Sequence, residues 1–439
     1  MKNIIIYLFL IGGILISSCK KEKASPANSS QPVVLSIWPN NGTGSTIVTI
    51  YGRNFSKVAQ NNKVKFNGVE AVVIETTEGA LQVVSPENAT TGNVTVTVQD
   101  TEIIGPLFTY IEVSDEYLVS TFAGNGTAGF INANGVDARF RNIEGVVEDF
   151  QGNLIITDRA NHAIRKVSPS GEVTTIAGTG VAGYIDGPVA NARFSNPWKS
   201  AVDPLGNIYV ADRDNHRIRK ISTDGMVTTV AGSGSGFADG AAATAKFNQP
   251  IDVAVDAQGN IFVADNSNHR IRKITPAGIV STFAGNGTGA FADGTGTAAQ
   301  LRQPSGIYFD KQGNLILADR GNQRIRKITP AGVVTTIAGT GTAGYVDGEA
   351  DVARFADPYG IGIDKDGNIL VADLNNHKIR KLTPQGVVST LAGSSSGYTN
   401  GINAGAQFSS PVDLYVNAAG DIFVADNSNH ALRKIRKID

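Results

Sequence analysis

The chain has 439 residues, with Lys+Arg 38 against Asp+Glu 39 and a formal net charge of −1, a balance that excludes a partner recruited by phosphate neutralisation, so no nucleic acid is expected. Glycine is high, at 50 residues or about 11% against a norm near 7%, and charged residues are low at 18%, which fits an all-β chain rich in turns better than a helical bundle or a disordered segment. A single cysteine excludes an internal disulfide, and at roughly 100–200 residues per domain the length allows two to four units.

Residues 1–19 read MKNIIIYLFLIGGILISSC, with Lys2 ahead of an apolar stretch from Ile4 to Ile16. About 13 residues are too few to span a bilayer as a helix and suit a signal-peptide core. The segment Ile16-Ser17-Ser18-Cys19 resembles the bacterial lipobox, which implies cleavage before Cys19 and lipidation of its thiol, hence a membrane partner through that residue. Lys20 after the cysteine is similar to lipoproteins released to the outer membrane, and the localisation expected is outer membrane or cell surface. Residues 20–31 (KKEKASPANSSQ) are polar without apolar periodicity and read as a flexible tether.

From residue 32 to residue 112, short alternating runs are separated by Gly/Asn turns, as in a β-sandwich. The runs VTIYGRNF, VKFNG, LQVVSP and GNVTVTVQ, the P-x-x-G at Pro39 to Gly42, and the closing Phe108-Thr109-Tyr110 resemble an IPT/TIG domain, an immunoglobulin-like module used as a spacer or interaction domain. Trp38, ahead of Pro39 at a strand end, is read as a packing residue.

Residues 117–439 are a repeat. The motif VADRDNHRIRKI at Val210 to Ile221 recurs with its first aspartate at Asp158, Asp212, Asp265, Asp319, Asp373 and Asp426, spaced 54, 53, 54, 54 and 53 residues apart. The second unit carries four strand signals, Ser200–Val202, Ile208–Ala211, Arg217–Ile221 and Val227–Ala231. Four short strands per unit, six times over, predict a six-bladed β-propeller. The run VSTFA at Val119 to Ala123 has no inner strands before it, and the last unit ends at RKIRKID without an outermost strand. One end supplies what the other lacks, so the N-terminal strand is expected to close blade six and remove the open edge. The units resemble NHL repeats.

All five histidines (His162, His216, His269, His377 and His430) occupy one slot of the repeat, with Gln323 in the sixth. A residue that recurs around a ring and is once replaced by Gln is expected to be structural, bonding to a neighbouring blade, while the motif Asp and Asn serve the turn backbone. Strict alternation along the third strand would expose Arg217 and Arg219 and bury Ile218, giving a basic band partnered by acidic residues of the same blade. Recurrent aromatics in the Gly-rich inserts, among them Phe130, Tyr184 and Tyr345, are expected to pack those inserts, which run about 18 residues each and should gather at one mouth of the channel.

Function is sought where the repeats differ. Just after the Pro that ends each insert (Ile143 in the first), the aligned units carry Glu144, Trp198, Ile251, Ser305, Tyr359 and Val412, followed by Gly145, Lys199, Asp252, Gly306, Gly360 and Asp413. By resemblance to propellers these begin the innermost strands and rim the channel, and Glu144, Trp198, Lys199, Asp252, Ser305, Tyr359 and Asp413 are the candidate ligand contacts. The expected role is a binding module for a glycan or a protein, without catalysis and without a required cofactor. One alternative is an enzyme similar to propeller lactonases and an amidating lyase, with Glu144, Asp252 and Asp413 offering carboxylates to a Ca²⁺ ion. The other is a structural envelope or adhesion protein.

Overall fold

The structure is a computed structural model that describes residues 31–110 and 115–438. The expected signal segment, Cys19 and all of the tether but Gln31 lie outside the described residues. The chain divides into two compact units, Met1–Ser114 and Asp115–Asp439.

In the first unit, Val33–Trp38 pairs with Ile47–Arg53, which pairs with Ala80–Val84; Asn62–Phe66 pairs with Gly92–Val98, which leads to Thr101–Tyr110. Val69–Thr76 joins the two groups by pairing with both Ala80–Val84 and Asn62–Phe66. Alternation drives the layering: in Ile47–Arg53, Val48, Ile50 and Gly52 turn inward while Ile47, Tyr51 and Arg53 face solvent. The core between the layers holds Val48, Ile50, Val64, Phe66, Leu81 and Val94, all without exposure. Phe108 meets Phe66 edge-on at 5.0 Å and Tyr110 at 5.1 Å. Trp38 is not a packing residue: it is 71% exposed, because Ile37 takes the inward position at that strand end.

The second unit is a six-bladed all-β propeller. Blade two runs outward from Pro197–Val202 through Ile208–Asp212 and Arg217–Ile221 to Met226–Ala231. Five of the blades gain a fifth strand of two residues, as Gly187–Pro188 does beside Met226 and Val227. These short strands belong to the inserts. Five inserts therefore run along the outer edge of the following blade for part of their length, and all six also meet the 3₁₀ turn after that blade's second strand, as Asn215 shows by donating to the Gly183 carbonyl at 2.8 Å. Glu116–Ala123 pairs with Ala431–Ile438 from Leu432 opposite Ala123 to Ile438 opposite Glu116, so the ring closes as the chain ends require.

The third strand departs from simple alternation. Arg219 and its equivalents Arg165, Arg272, Arg326, Arg380 and Arg433 are fully buried, and so is Ile218. Both faces of a blade lie against neighbours or inserts, and the pairing register shifts between Ile218 and Arg219, so no solvent face exists for the arginine to occupy. Its charge is met locally. Nη1 of Arg219 donates to Asp212 at 2.7 Å and to the Arg193 carbonyl at 3.1 Å, and Nη2 donates to Asp186 at 2.5 Å and to the Ile185 carbonyl at 2.9 Å. The guanidinium lies 4.9 Å from the Tyr184 ring centroid and 5.2 Å from that of Phe194. The periodic aromatics thus cover the arginines and pin the inserts. Burial pushes the Asp212 carboxyl up to about 6, against the opposing pull of Asn215, the Ser195 amide and Arg219.

The histidine slot is structural as expected. His216 ends a 3₁₀ turn at φ +56°, and its Nδ1 accepts from the Gln249 amide of the next blade at 3.1 Å. Gln323 does the same work with Oε1, accepting from the Asp357 amide at 2.7 Å. Replacing Arg272 with Met should destabilise the propeller by about 3–5 kcal/mol, since Asp265 is then left buried and unpaired; a urea titration reading the propeller transition checks this.

Candidate functional site

The seven candidate residues all lie at the start of the innermost strands and meet at the channel, but they meet one another rather than solvent. In the outer layer, Trp198 of blade two donates from Nε1 to the Tyr359 hydroxyl of blade five at 2.7 Å, spanning the channel. Ser305 is fully buried and donates to the Tyr359 carbonyl at 3.0 Å. Glu144, 3% exposed, accepts from Asn427 at 2.9 Å through Oε1 and meets Arg159 Nε at 3.0 Å with the same oxygen. Its Oε2 has no hydrogen-bond partner among the described residues. Burial pushes the Glu144 carboxyl up to about 7 despite Arg159, Lys199 and Arg213.

The next layer is an ion triad. Lys199 Nζ donates to Asp413 at 2.7 Å and lies 3.8 Å from Asp252. Each aspartate also ties down a neighbouring inner strand: Asp413 accepts from the Val146 amide at 3.0 Å through its second oxygen, and Asp252 accepts from the Ile307 amide at 2.9 Å through the oxygen that faces Lys199. Burial raises both carboxyls, that of Asp252 to about 7, while Lys199 opposes the shift in each. The intervening glycines are demanded by the close approach of the strands. A Cβ on Gly360 would stand 2.7 Å from the Asp413 Cα, and one on Gly145 would stand 3.0 Å from the Lys199 Cα.

This donor set does not fit a calcium ion. The ammonium of Lys199 occupies the space between Asp252 and Asp413 that a cation would need, and Glu144 is engaged by Arg159 and Asn427. Among the described residues, no group of three or more His, Cys, Asp or Glu side chains is placed to hold a metal.

Beyond the triad the channel opens at the opposite face. A cavity of about 330 Å³ has Asp252 and Asp413 on its inner wall and Ser200, Tyr308, Phe309, Tyr415, Glu148 and Phe150 around it. Phe150 is 72% exposed at its edge. Burial raises the Tyr415 phenol, with Tyr308 and Glu148 adding to the shift, and desolvation raises the Glu148 carboxyl while its hydrogen bond with Tyr415 opposes. Sequence reasoning missed this cavity because its aromatics sit at ordinary alternating positions of the inner strands; the available signal was that Tyr308 and Tyr415 stand where other blades carry Val147, Ala201, Ala254 and Gly362. It also missed Arg159, Arg213 and Arg320, which follow the motif aspartate in three blades only. Arg159 and Arg213 lie 5.0 and 4.4 Å from the Trp198 ring centroid, and Arg320 lies 5.2 Å from that of Tyr359.

Architecture and channel together define an all-β protein built of an immunoglobulin-like module and a closed six-bladed propeller. Residues 32–110 match the IPT/TIG domain, and residues 194–221, 247–274, 301–328, 355–382 and 408–435 match the NHL repeat, so the chain carries a TIG domain followed by NHL repeats that form a six-bladed propeller. It is 30% identical over 276 residues to the protein Suppressor of Quenching 1, chloroplastic, of Arabidopsis thaliana, covering 58% of this chain and 26% of that one. It is 29% identical over 335 residues to human NHL repeat-containing protein 2, covering 65% of this chain and 45% of the relative. The chain thus spans less than half the length of these curated relatives. Among solved structures it is similar in fold to a Bacteroides thetaiotaomicron protein of unknown function (TM-score 0.58, 23% identity, 93% of this chain and 98% of that one) and to an auxiliary nutrient binding protein of the same organism (TM-score 0.58, 17% identity, 93% and 98%).

Replacing Lys199 with Met leaves two aspartates buried without a counter-charge. A buried carboxyl whose pKa is raised on folding contributes stability at low pH that is lost as pH rises through the folded value. The variant should therefore lose about 3–5 kcal/mol at pH 8 and markedly less at pH 5, measured as the shift in urea midpoint at the two pH values.

Proposed function

We propose that this chain is a lipid-anchored, surface-displayed binding protein that takes a glycan into the cavity at the open end of the propeller channel. The observation that carries this reading is the cavity itself. The Trp198–Tyr359 bridge and the Lys199 triad close the channel from one side, and what remains is a cup of about 330 Å³ open at the other. Its wall offers flat aromatic faces from Phe309, Tyr308 and Tyr415, hydroxyl groups, and the Glu148 carboxylate. Apolar ring faces with a few convergent polar groups are what a sugar ring requires, since its C–H face stacks and its hydroxyls need both donors and acceptors. The site proposed from the sequence thus moves from the plugged mouth to the opposite one.

Supporting the binding role, similar folds include structures described as auxiliary nutrient binding proteins of Bacteroides thetaiotaomicron and Bacteroides ovatus. Supporting surface display, the lipobox-like Ile16-Ser17-Ser18-Cys19 and the polar segment that follows precede the folded units. The role is read as non-catalytic: the side chains at the plugged mouth hold one another, and the carboxyl groups on the cavity wall are engaged, Asp252 and Asp413 by Lys199 and backbone amides and Glu148 by Tyr415.

Two measurements test the proposal. A glycan array probed with the full-length chain in detergent should show selective binding that a Tyr308→Ala/Tyr415→Ala double variant with an unchanged circular dichroism spectrum loses at least tenfold; equal binding by that variant refutes the cavity as the site. Cells fed an alkyne-tagged fatty acid should label the wild-type chain and not Cys19→Ser, and labelling of both forms refutes the anchor.

A further inference from the structure

The plugged mouth carries chemistry that the glycan cavity does not use. Arg159, Arg213 and Arg320 come from equivalent 3₁₀ turns of blades one, two and four. Their side chains keep 27%, 24% and 31% of their exposure, whereas the repeat arginines are fully buried. The contrast in hydrogen bonding is sharper. Arg219 distributes its donors over two aspartates and two backbone carbonyls. Arg213 donates to Asp214 at 2.7 Å and Arg320 to Asp357 at 3.3 Å, while Arg159 faces Glu144 through Nε, so several N–H groups at this mouth are uncommitted within the described residues. The bridged Trp198 and Tyr359 rings hold the three guanidinium groups in place by cation–π contact, which leaves the planar forks oriented before any ligand arrives.

A second observation comes from beneath them. Glu144 is 3% exposed, yet its Oε2 has no partner among the described residues, and a buried carboxylate oxygen without a donor is costly. The mouth therefore presents unused donors beside one unsatisfied acceptor.

We infer that this mouth is a second binding site, separate from the aromatic cavity, for a carboxylate with a neighbouring hydroxyl, as in a uronic acid. The carboxylate receives N–H groups of Arg213, Arg320 and Arg159 in fork geometry, and the hydroxyl supplies the donor that Glu144 Oε2 lacks. A monoanion is favoured over a phosphate dianion because each rim arginine already faces an acid, Arg159 with Glu144, Arg213 with Asp214 and Arg320 with Asp357, so the rim has no charge surplus to neutralise a second negative charge.

The charged and titratable groups facing Glu144 are Arg159, Lys199, Arg213, Asp413 and the Tyr359 phenol. Burial raises its carboxyl to about 7, so lowering the pH from 8 to 6 removes a negative charge beside the ligand's carboxylate and frees the charge of Arg159, while the C=O of the neutral acid still accepts the hydroxyl, and carboxylate binding should tighten.

The chain has two tryptophans, Trp38 and Trp198, so a Trp38→Phe variant of the full-length chain reports from the mouth alone. Titrating it with D-glucuronate should give a saturable change in Trp198 emission that glucose does not produce, and the affinity should be higher at pH 6 than at pH 8. Arg213→Gln/Arg320→Gln in the same background, with its fold checked by thermal melting, should weaken binding at least tenfold. No saturable change, an equal response to glucose, tighter binding of inorganic phosphate, or unchanged affinity in the arginine variant each overturns the site. If the double variant melts early, Arg320→Lys alone provides the comparison: a retained charge without the fork should still weaken binding, and undiminished affinity overturns the fork. The reporter and ligand here belong to the plugged mouth, so failure of glycan capture at Tyr308 and Tyr415 leaves this outcome independent.

Discussion

A fully buried arginine paired with a fully buried aspartate, repeated in every blade, is the interaction on which the rest of the propeller depends. In blade two, Asp212 ties the Ser195 amide, Asn215 and Arg219 together, and Arg219 in turn reaches Asp186 and two carbonyls of the preceding insert. An insert with little regular structure is thereby fastened along the edge of the blade it precedes. Two charges out of water are expensive, and their mutual attraction offsets that cost only when the remaining donors and acceptors are satisfied. In blade two the backbone carbonyls, Asp186 and the motif Asn complete the set, and in blades one, four and six only the arginine Nε is left without a partner among the described residues, so Asp, Asn and Arg travel together through the repeat.

The same economy of charge governs the channel. Six inner strands converge where there is room for few side chains, and glycine at three of six positions in one layer makes space for Lys199, Asp252 and Asp413. With Trp198 and Tyr359 joined above them, the channel becomes a cup rather than a pore. Its closed end is ionic and its open end aromatic, and those two environments suit different ligands.

Much of the architecture was legible in the sequence because a repeat reports its own constraints. The spacing of the motif aspartates counted the blades, and the mismatched chain ends located the closing strand. Arg219 was misplaced because strand alternation assumes one wet face, and a propeller blade has none along its third strand. Trp38 was misplaced because its neighbour Ile37, equally apolar, holds the inward position. At the channel, positions that break the repeat led to Glu144, Trp198, Lys199, Asp252, Ser305, Tyr359 and Asp413, which the fold brings together there. Their mutual closure was not legible, since Trp198 and Tyr359 are 161 residues apart and meet only when the ring is complete. Tyr308 and Tyr415 escaped notice for the opposite reason, as they sit in runs that already read as strands.

The closing strand imposes an order on folding. Glu116–Ala123 is made near the start of the second unit, but its partner Ala431–Ile438 is the last strand of the propeller to be made, and the contact of Tyr117 with Asn403 spans 286 residues. Until Ala431–Ile438 has been made, that strand has no native mate, and loop closure over so long a stretch is paid for late, when the earlier blades already hold their inserts. The nascent chain therefore carries an unpaired strand edge while the intervening blades are made, the kind of edge on which chains misassemble, and only the eight residues Ala431–Ile438 retire it.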